Sequence, residues 1–392
     1  TESVTEKTTS TTQTTEHFIS GGTETTDYDK QIIDYILVKY INNYGPYINI
    51  LDTDRLQRDG NLYKYVYTNN EPNITYKFGI IARNKFNISN IKNLRLKTVS
   101  ISIDKVDIHY AKKKKLGEYP PCLQIEPTSI CNFRCVMCYQ TDKSFSNKSN
   151  GFMSNMSLDL YKKLIDEVEG KVEAITLASR GEPTLNKDFK NMLEYSNGKF
   201  LALKINTNAS MLNEKLIHSI LSTDIQSIVF SADAADKETY EKIRVNGKFE
   251  KIMENLELFA EIRKKHYSKS KHIVKMSGVK ISEEQSLEKM EKQFKKYADV
   301  IAFVNYTPWQ SSYENEPNKL EHACEELWTR MFVWSDGKVN PCDYDYKSLL
   351  SKWNAKNTTI SEIWNSEEYN LIRQKHIEKK RNTLEPCVRC LN

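Results

Sequence analysis

Apolar residues recur along this chain with two different periods, and from about residue 120 the two interleave regularly. Short apolar runs predict strands over 122–126, 172–178, 200–206, 225–231, 272–279 and 300–304. Between them, apolar residues return every three or four positions. The first such stretch starts after a Ser157 cap, carries Leu160, Leu164, Ile165 and Val168 on one face, and stops at Gly170. Further helices are predicted over 189–195, 213–221, 237–244, 249–265 and 283–297. Strands regularly separated by amphipathic helices are βα units that wind right-handed about a parallel sheet, so the class is α/β. Six strands are too few for a closed eight-stranded barrel.

The flanks read differently. Residues 1–27 are rich in Thr, Ser and Glu and predict a disordered tail. A helix is expected over 29–43, with Ile32, Ile33, Tyr35, Ile36, Val38 and Ile41 apolar, then strands over 62–67, 76–82 and 99–108 with turns at 59–60 and 69–72. Residues 28–117 are thus expected to form an α+β accessory domain, 118–310 the core, and 311–392 a small C-terminal domain. In that last part, alternation on either side of Ser335–Lys338 predicts a hairpin with an Asp336-Gly337 turn, and a helix is expected over 360–377.

Composition narrows the partners. The 392 residues are 39% hydrophobic and 28% charged, enough for two or three domains. A net charge of +5 is mild, and no basic tract is interleaved with aromatics, so nucleic acid is not expected. The lysine run 112–115 reads as a solvated linker. No apolar run is long enough to span a membrane, and no signal peptide is visible. The eight cysteines fall mostly into two clustered sets, which favours metal over disulfides and predicts a reducing, cytoplasmic setting.

Cys131, Cys135 and Cys138 stand as CxxxCxxC on the loop leaving the first strand. Closely spaced thiolates on one loop suit an iron–sulfur cluster, and three ligands leave one iron of a four-iron cluster free. A structural zinc site or buried thiols would show the same spacing. Cys324, Cys342, Cys387 and Cys390 form the second set, C-x12-G-x4-C through Gly337 and then CxxC. Four thiolates suit either an iron–sulfur cluster or tetrahedral zinc. Cys122 stands alone on the first strand and is given no role.

The CxxxCxΦC spacing, with Met137 at the apolar Φ position, resembles that of the radical S-adenosylmethionine (radical SAM) superfamily. The resemblance implies a partial (β/α)6 TIM-like barrel whose first cluster binds the amino and carboxylate groups of SAM at its open iron. Reductive cleavage of SAM would then give a 5′-deoxyadenosyl radical that abstracts hydrogen. Gly181-Glu182-Pro183, after the second strand, resembles the family's GGEP segment, in which the acidic residue and backbone accept hydrogen bonds from the SAM ammonium group. Arg180 replaces the usual first glycine and is expected either to meet an anionic substrate or to pair with Glu182. Asn206 ends the third strand. Ser231 and Asp233 follow the fourth, where the family contacts ribose. Arg244 takes the place of the arginine that meets the SAM carboxylate, and Val279 that of an adenine contact, with core packing equally open.

The C-terminal cysteines and Ile363-Trp364-Asn365 resemble the SPASM/twitch extension of these enzymes. Four cysteines rather than seven match the shorter twitch form. The implied cofactors are two 4Fe-4S clusters, one SAM-binding and one auxiliary, and SAM. This single-cluster arrangement resembles radical SAM aminocyclitol dehydrogenases, which oxidise a secondary alcohol to a ketone. An oxidoreductase acting on a carbohydrate-like small molecule is therefore expected, by alcohol oxidation or epimerisation. Asp343 and Asp345 are candidates for the base and Arg330 for holding substrate. The alternative is a ribosomal-peptide maturase forming a crosslink or an epimerised residue. A helix at the start of the accessory domain would speak against a strand-first module that binds a peptide leader. A flavodoxin or ferredoxin is the expected reductant.

Overall fold

A computed structural model describes residues 117–391 and, before them, the strand segments 15–20, 32–41, 44–51, 57–59, 62–67, 75–84 and 98–100. The chain divides into two compact units, Thr1–Lys115 and Leu116–Asn392.

The described part of the first unit is all strand: β1 (Thr15–Ser20), β2 (Ile32–Ile41), β3 (Tyr44–Leu51), β4 (Gln57–Asp59), β5 (Leu62–Tyr67), β6 (Thr75–Asn84) and β7 (Thr98–Ser100). They form antiparallel sheets in the orders β1-β5-β4 and β3-β2-β6-β7. Two expectations are corrected. The described part of the expected 29–43 helix is not a helix: residues 32–41 form the strand that β3 and β6 flank. IIDYILVKYI is dominated by β-branched and aromatic residues, whose preference for a pleated surface outweighs a loosely helical spacing. The expected tail contributes β1, which pairs along the whole of β5. The 112–115 run, the 69–72 turn and the rest of the 99–108 strand lie outside the described residues.

The second unit is built on a nine-stranded sheet. Six parallel strands run in chain order: β8 (Cys122–Ile125), β9 (Ala174–Leu177), β10 (Ala202–Thr207), β11 (Ser227–Ser231), β12 (Ile273–Lys280) and β13 (Val300–Asn305). After a single turn α1 (Lys143–Ser146), the intervening helices are α2 (Leu158–Val168), α3 (Phe189–Ser196), α4 (Glu214–Leu221), α5 (Lys237–Ile243), α6 (Phe249–His266) and α7 (Leu287–Phe294). Ser157 caps α2 by accepting from the Leu160 amide at 3.2 Å, and the chain leaves that helix through Gly170 at φ +70°. Leu160, Leu164, Ile165 and Val168 are all buried on one face. The six parallel strands stay open as a partial TIM-like barrel.

Residues on β10 alternate between two environments. On β10, Leu203, Ile205 and Thr207 are buried, while Ala202, Lys204 and Asn206 are only partly so. Leu203 and Ile205 join the apolar core with the helices, Thr207 bonds Glu182 at the strand end, and the second set lies on the opposite, lumenal face.

The sheet continues past β8 in a way the sequence pattern did not reveal. The expected hairpin forms from β14 (Arg330–Val333), which follows a single turn α8 (Glu326–Thr329), and β15 (Lys338–Asn340). Gly337 sits at φ +88° in the turn, and a Cβ there would come within 2.6 Å of Asn354 Oδ1. β14 also lies parallel to β8, with Arg330 opposite Cys122 and Phe332 opposite Gln124. The C-terminal region therefore extends the barrel sheet, ending in β16 (Trp353–Asn354). The helix expected over 360–377 is two: α9 (Ile360–Trp364) and α10 (Glu367–Ile377). Ser366 stops the continuation by capping α10, its side chain accepting from the Tyr369 amide.

Candidate active site

The loop after β8 carries Cys131, Cys135 and Cys138 and is pinned at several points. Amides of Arg134 and Val136 donate to the carbonyls of Val245, just past α5, and Ile243, its last residue, at 2.9 and 3.0 Å. The Cys138 amide closes a turn onto Cys135 O at 2.9 Å. Met137 is buried in the core beneath the loop, so its side chain anchors the loop. The three thiols lie within electrostatic reach of one another. Burial pushes all three up, Cys131 to about 12, with Glu182 adding to the rise. Amides also point at the sulfurs: Phe133 N to Cys131 Sγ at 3.4 Å and Gln140 N to Cys138 Sγ at 3.5 Å. Buried thiols of this kind become ligands only when a metal displaces their protons, and N–H···S bonds are how a protein tunes a bound cluster. The donor set fits an iron–sulfur group.

The strand ends converge on this loop. Gly181 packs against its entry, where a Cβ would lie 2.3 Å from Thr128 O and 2.5 Å from Ile130 O. The Glu182 amide donates to Ile130 O at 3.0 Å. The Glu182 carboxylate is buried and accepts from Thr207 Oγ1 at 2.6 Å, the Asn208 amide at 2.7 Å, and both the amide and hydroxyl of Thr184. It locks the ends of β9 and β10 together, with Pro183 starting the short turn that follows. Asn208 reaches back to Asn132 between the cysteines at 3.0 Å. Asn206 leaves a buried Oδ1 without a partner among the described residues. Ser231 ends β11, half-buried.

Asp233 and Arg244 form a buried ion pair at 2.7 Å, and Asp233 also accepts from the Val279 amide at 2.7 Å. Both carboxylate oxygens of Asp233 are therefore engaged, and what it does is aim Arg244. The Arg244 Nη1 lies 3.8 Å from Cys135 Sγ. Burial works against this guanidinium, but Asp233 and then Cys135 outweigh it and hold it protonated. Val279 also gives its carbonyl to Gln285 Nε2 at 2.7 Å.

Arg180 meets neither of its expected partners. It is 3% exposed and forks onto Glu126 at the end of β8, with Nε–Oε2 and Nη2–Oε1 both 2.7 Å. Its Nη1 donates to Tyr346 O at 2.9 Å, and its guanidinium stacks 4.4 Å from the Trp334 ring. Glu126 also accepts from the amide and hydroxyl of Ser335 in the hairpin turn, at 3.0 and 2.8 Å. The arginine thus ties the barrel to the C-terminal cysteine region. Glu126 and Gln140, which bonds Ser129 O and Arg180 O, were missed by sequence reasoning. They belong to no motif.

The second set assembles from three places. Cys324, Cys342, Cys387 and Cys390 act electrostatically on one another. Burial raises all of those thiols that shift, Cys324 and Cys387 to about 12. Among the described residues, no three His, Cys, Asp or Glu side chains converge at the spacing of a single metal ion. Beside Cys342, burial and then the charge of Glu326 push Asp343 up to about 7, against Arg330. Asp345 points elsewhere. Its carboxylate accepts from Tyr313 Oη and the amides of Leu349 and Leu350, all at 2.8 Å, and so holds its own loop. Arg330 bonds Gln124 Oε1 at 3.2 Å inside the barrel.

A barrel with a three-cysteine loop at its strand ends and a four-cysteine C-terminal region defines a class, and the comparisons agree. The family model for the radical SAM superfamily matches residues 125–300, and that for an iron–sulfur cluster-binding domain, SPASM, matches 324–391. The chain carries a radical SAM domain and, C-terminal to it, a SPASM domain. These domains imply a SAM-binding 4Fe-4S cluster, an auxiliary iron–sulfur cluster, and SAM as co-substrate.

Particular relatives are more distant. The mycofactocin maturase MftC of Mycolicibacterium smegmatis is 27% identical over 138 residues, 35% of this chain and 34% of that protein. The Fe-coproporphyrin III synthase of Methanosarcina barkeri is 27% identical over 150 residues, 38% of this chain and 35% of that protein. The chain thus spans about a third of the length of these curated relatives. Among solved structures, Streptococcus suis SuiB bound to its precursor peptide SuiA superposes with a TM-score of 0.53 at 16% identity, over 66% of this chain and 67% of that one. No described helix is long and apolar enough to cross a membrane.

Proposed function

We propose that this protein is a radical SAM oxidoreductase that removes hydrogen from a small, carbohydrate-like alcohol bound in the barrel lumen. When bound, SAM and a 4Fe-4S cluster on Cys131, Cys135 and Cys138 supply a hydrogen-abstracting radical, and a cluster on Cys324, Cys342, Cys387 and Cys390 supplies an electron acceptor. The chain's residues do the remaining work. Arg244, aimed by Asp233, offers a guanidinium beside Cys135 for the SAM carboxylate. The backbone at Gly181–Pro183, fixed by the Glu182 carboxylate, offers acceptors for the ammonium group. Asn206, Ser231 and Val279 line the same strand ends. Oxidation of a secondary alcohol to a ketone requires loss of a hydrogen atom from carbon, a proton from oxygen and one electron. Asp343 would take the proton, since Asp345 is committed to its loop.

The observation that carries the small-molecule reading is the lumenal face itself. Where closed barrels pack branched apolar side chains, this one turns Gln124, Thr176, Lys204, Asn206 and Lys275 inward. Carbon-deuterated sugars and sugar phosphates, incubated anaerobically with SAM and reductant, test it. One of them is expected to label 5′-deoxyadenosine and yield a ketone in equal amount. Peptide maturation is the second reading, favoured by the match to MftC, and the helix once set against it is absent from the described residues. Label arriving from a precursor peptide and from no sugar would put that reading first. For the auxiliary site, a variant with Cys131, Cys135 and Cys138 all changed to Ala is expected to retain iron. Zinc without iron would overturn the cluster assignment there.

A further inference from the structure

We propose that the barrel lumen holds an anionic group of the substrate, a phosphate or a carboxylate, on Lys204, Lys275 and Arg330. The inference rests on the small-molecule reading above and narrows it. The strand register places these three cations on one face. Lys204 stands opposite Thr176, which stands opposite Gln124. Lys275 stands opposite Val229, which stands opposite Asn206. Arg330 stands opposite Cys122 and bonds Gln124 Oε1. The positions share the lumenal parity, while Leu203, Val274 and Met331 beside them are buried in the apolar core.

Lys204 is the informative member. It sits in mid-strand and is partly buried. Among the described residues no carboxylate pairs with it and no hydrogen bond is made by its ammonium group. Burial, then the like charges of Arg330 and Lys275, push it down to about 8, and the Cys122 thiol alone acts the other way. Burial also lowers Lys275. The acidic groups in the neighbourhood, Glu326 and Asp343, bear on Arg330 and Cys122 rather than on Lys204. Buried cations are held at a cost unless a counter-charge offsets it. A protein that keeps a lysine here, with a second lysine and an arginine in reach, has built a receptor for an anion brought by the ligand. Two ammonium groups and one guanidinium fork suit phosphate or carboxylate, and Gln124, Thr176 and Asn206 offer neutral partners for hydroxyls. The same charges repel an amine. A substrate of the aminocyclitol type is therefore disfavoured in this lumen.

The test uses the cluster-reconstituted protein with SAM bound, titrated calorimetrically with inorganic pyrophosphate, glucose 1-phosphate, glucuronate, glucose and glucosamine. At least one anion is expected to bind, with glucose and glucosamine weaker by about tenfold or more. Phosphate and carboxylate arms show which anion is preferred. Lys204→Met is expected to lose about tenfold or more in anion affinity, and Lys204→Arg to retain most of it. Retention by Arg assigns the effect to charge, because arginine cannot act as a base at neutral pH. If Lys204→Met takes up less iron than wild type, Lys275→Gln carries the same comparison. Absence of binding by every anion at millimolar concentration overturns the proposal, as does equal affinity for glucose and glucose 1-phosphate or unchanged affinity in Lys204→Met. Uncoupled 5′-deoxyadenosine formation by wild type, measured alongside, reports on the catalytic reading separately.

Discussion

Glu126 and Arg180 carry their charges where water is excluded, and each depends on the other. Burial alone would raise the Glu126 carboxyl, but the charge and fork of Arg180 and the two Ser335 donors outweigh it and hold it below its ordinary 4.5. Its contribution to stability is therefore present above about pH 4.5 and lost as pH falls through the lower folded value. Denaturant midpoints measured against pH are expected to fall more steeply on the acid side for wild type than for Glu126→Gln. Arg180→Ala leaves a buried carboxylate unpaired and is expected to cost roughly 3–5 kcal/mol in denaturant titration. The role of Arg180 was not legible in the sequence, because Glu126 lies 54 positions upstream and Tyr346 lies 166 downstream. The cysteine spacing and Gly-Glu-Pro were legible because local geometry demands them. Gly181 shows why: its missing side chain is the space that two backbone carbonyls occupy. Gly181→Ala must displace backbone and is expected to destabilise the fold by about 1–3 kcal/mol and to weaken SAM binding, read by equilibrium dialysis.

Elements that pack on one side announced themselves, and elements whose role is set by distant partners did not. The βα alternation from β8 to β13 follows from apolar period alone. β14 reads from sequence as half a hairpin, yet it also extends the barrel sheet along β8. Nothing in its four residues encodes that pairing. β2 was misread because Ile, Val and Tyr satisfy a helical spacing while preferring a strand. The break between α9 and α10 hangs on the cap Ser366. The hairpin turn gives a test at this scale. Gly337→Val places a branched residue at φ +88° and against Asn354, a strain of roughly 1–2 kcal/mol or more. Because Cys342 lies two residues past β15, iron bound by the second set is expected to fall while the first set keeps its own. Iron per chain, assayed with and without the Cys131 loop, separates the two.

For the molecule as a whole, what was legible was the chemistry class, and what was not was the content of the lumen. Motif residues lie at strand ends and in loops, where spacing along the chain is spacing in space. The lumenal face is written one residue at a time on separate strands, and only the register brings Lys204, Lys275 and Arg330 together. Arg180, Glu126 and Ser335 join the two cysteine regions into one sheet-built frame. The proposed chemistry depends on the first region starting a radical reaction. The most direct measurement is anaerobic incubation of the reconstituted protein with SAM and dithionite, quantifying 5′-deoxyadenosine. Formation by wild type and its loss in Cys135→Ala are expected. Wild-type protein with a full iron complement that yields no more 5′-deoxyadenosine than Cys135→Ala would contradict the proposed chemistry.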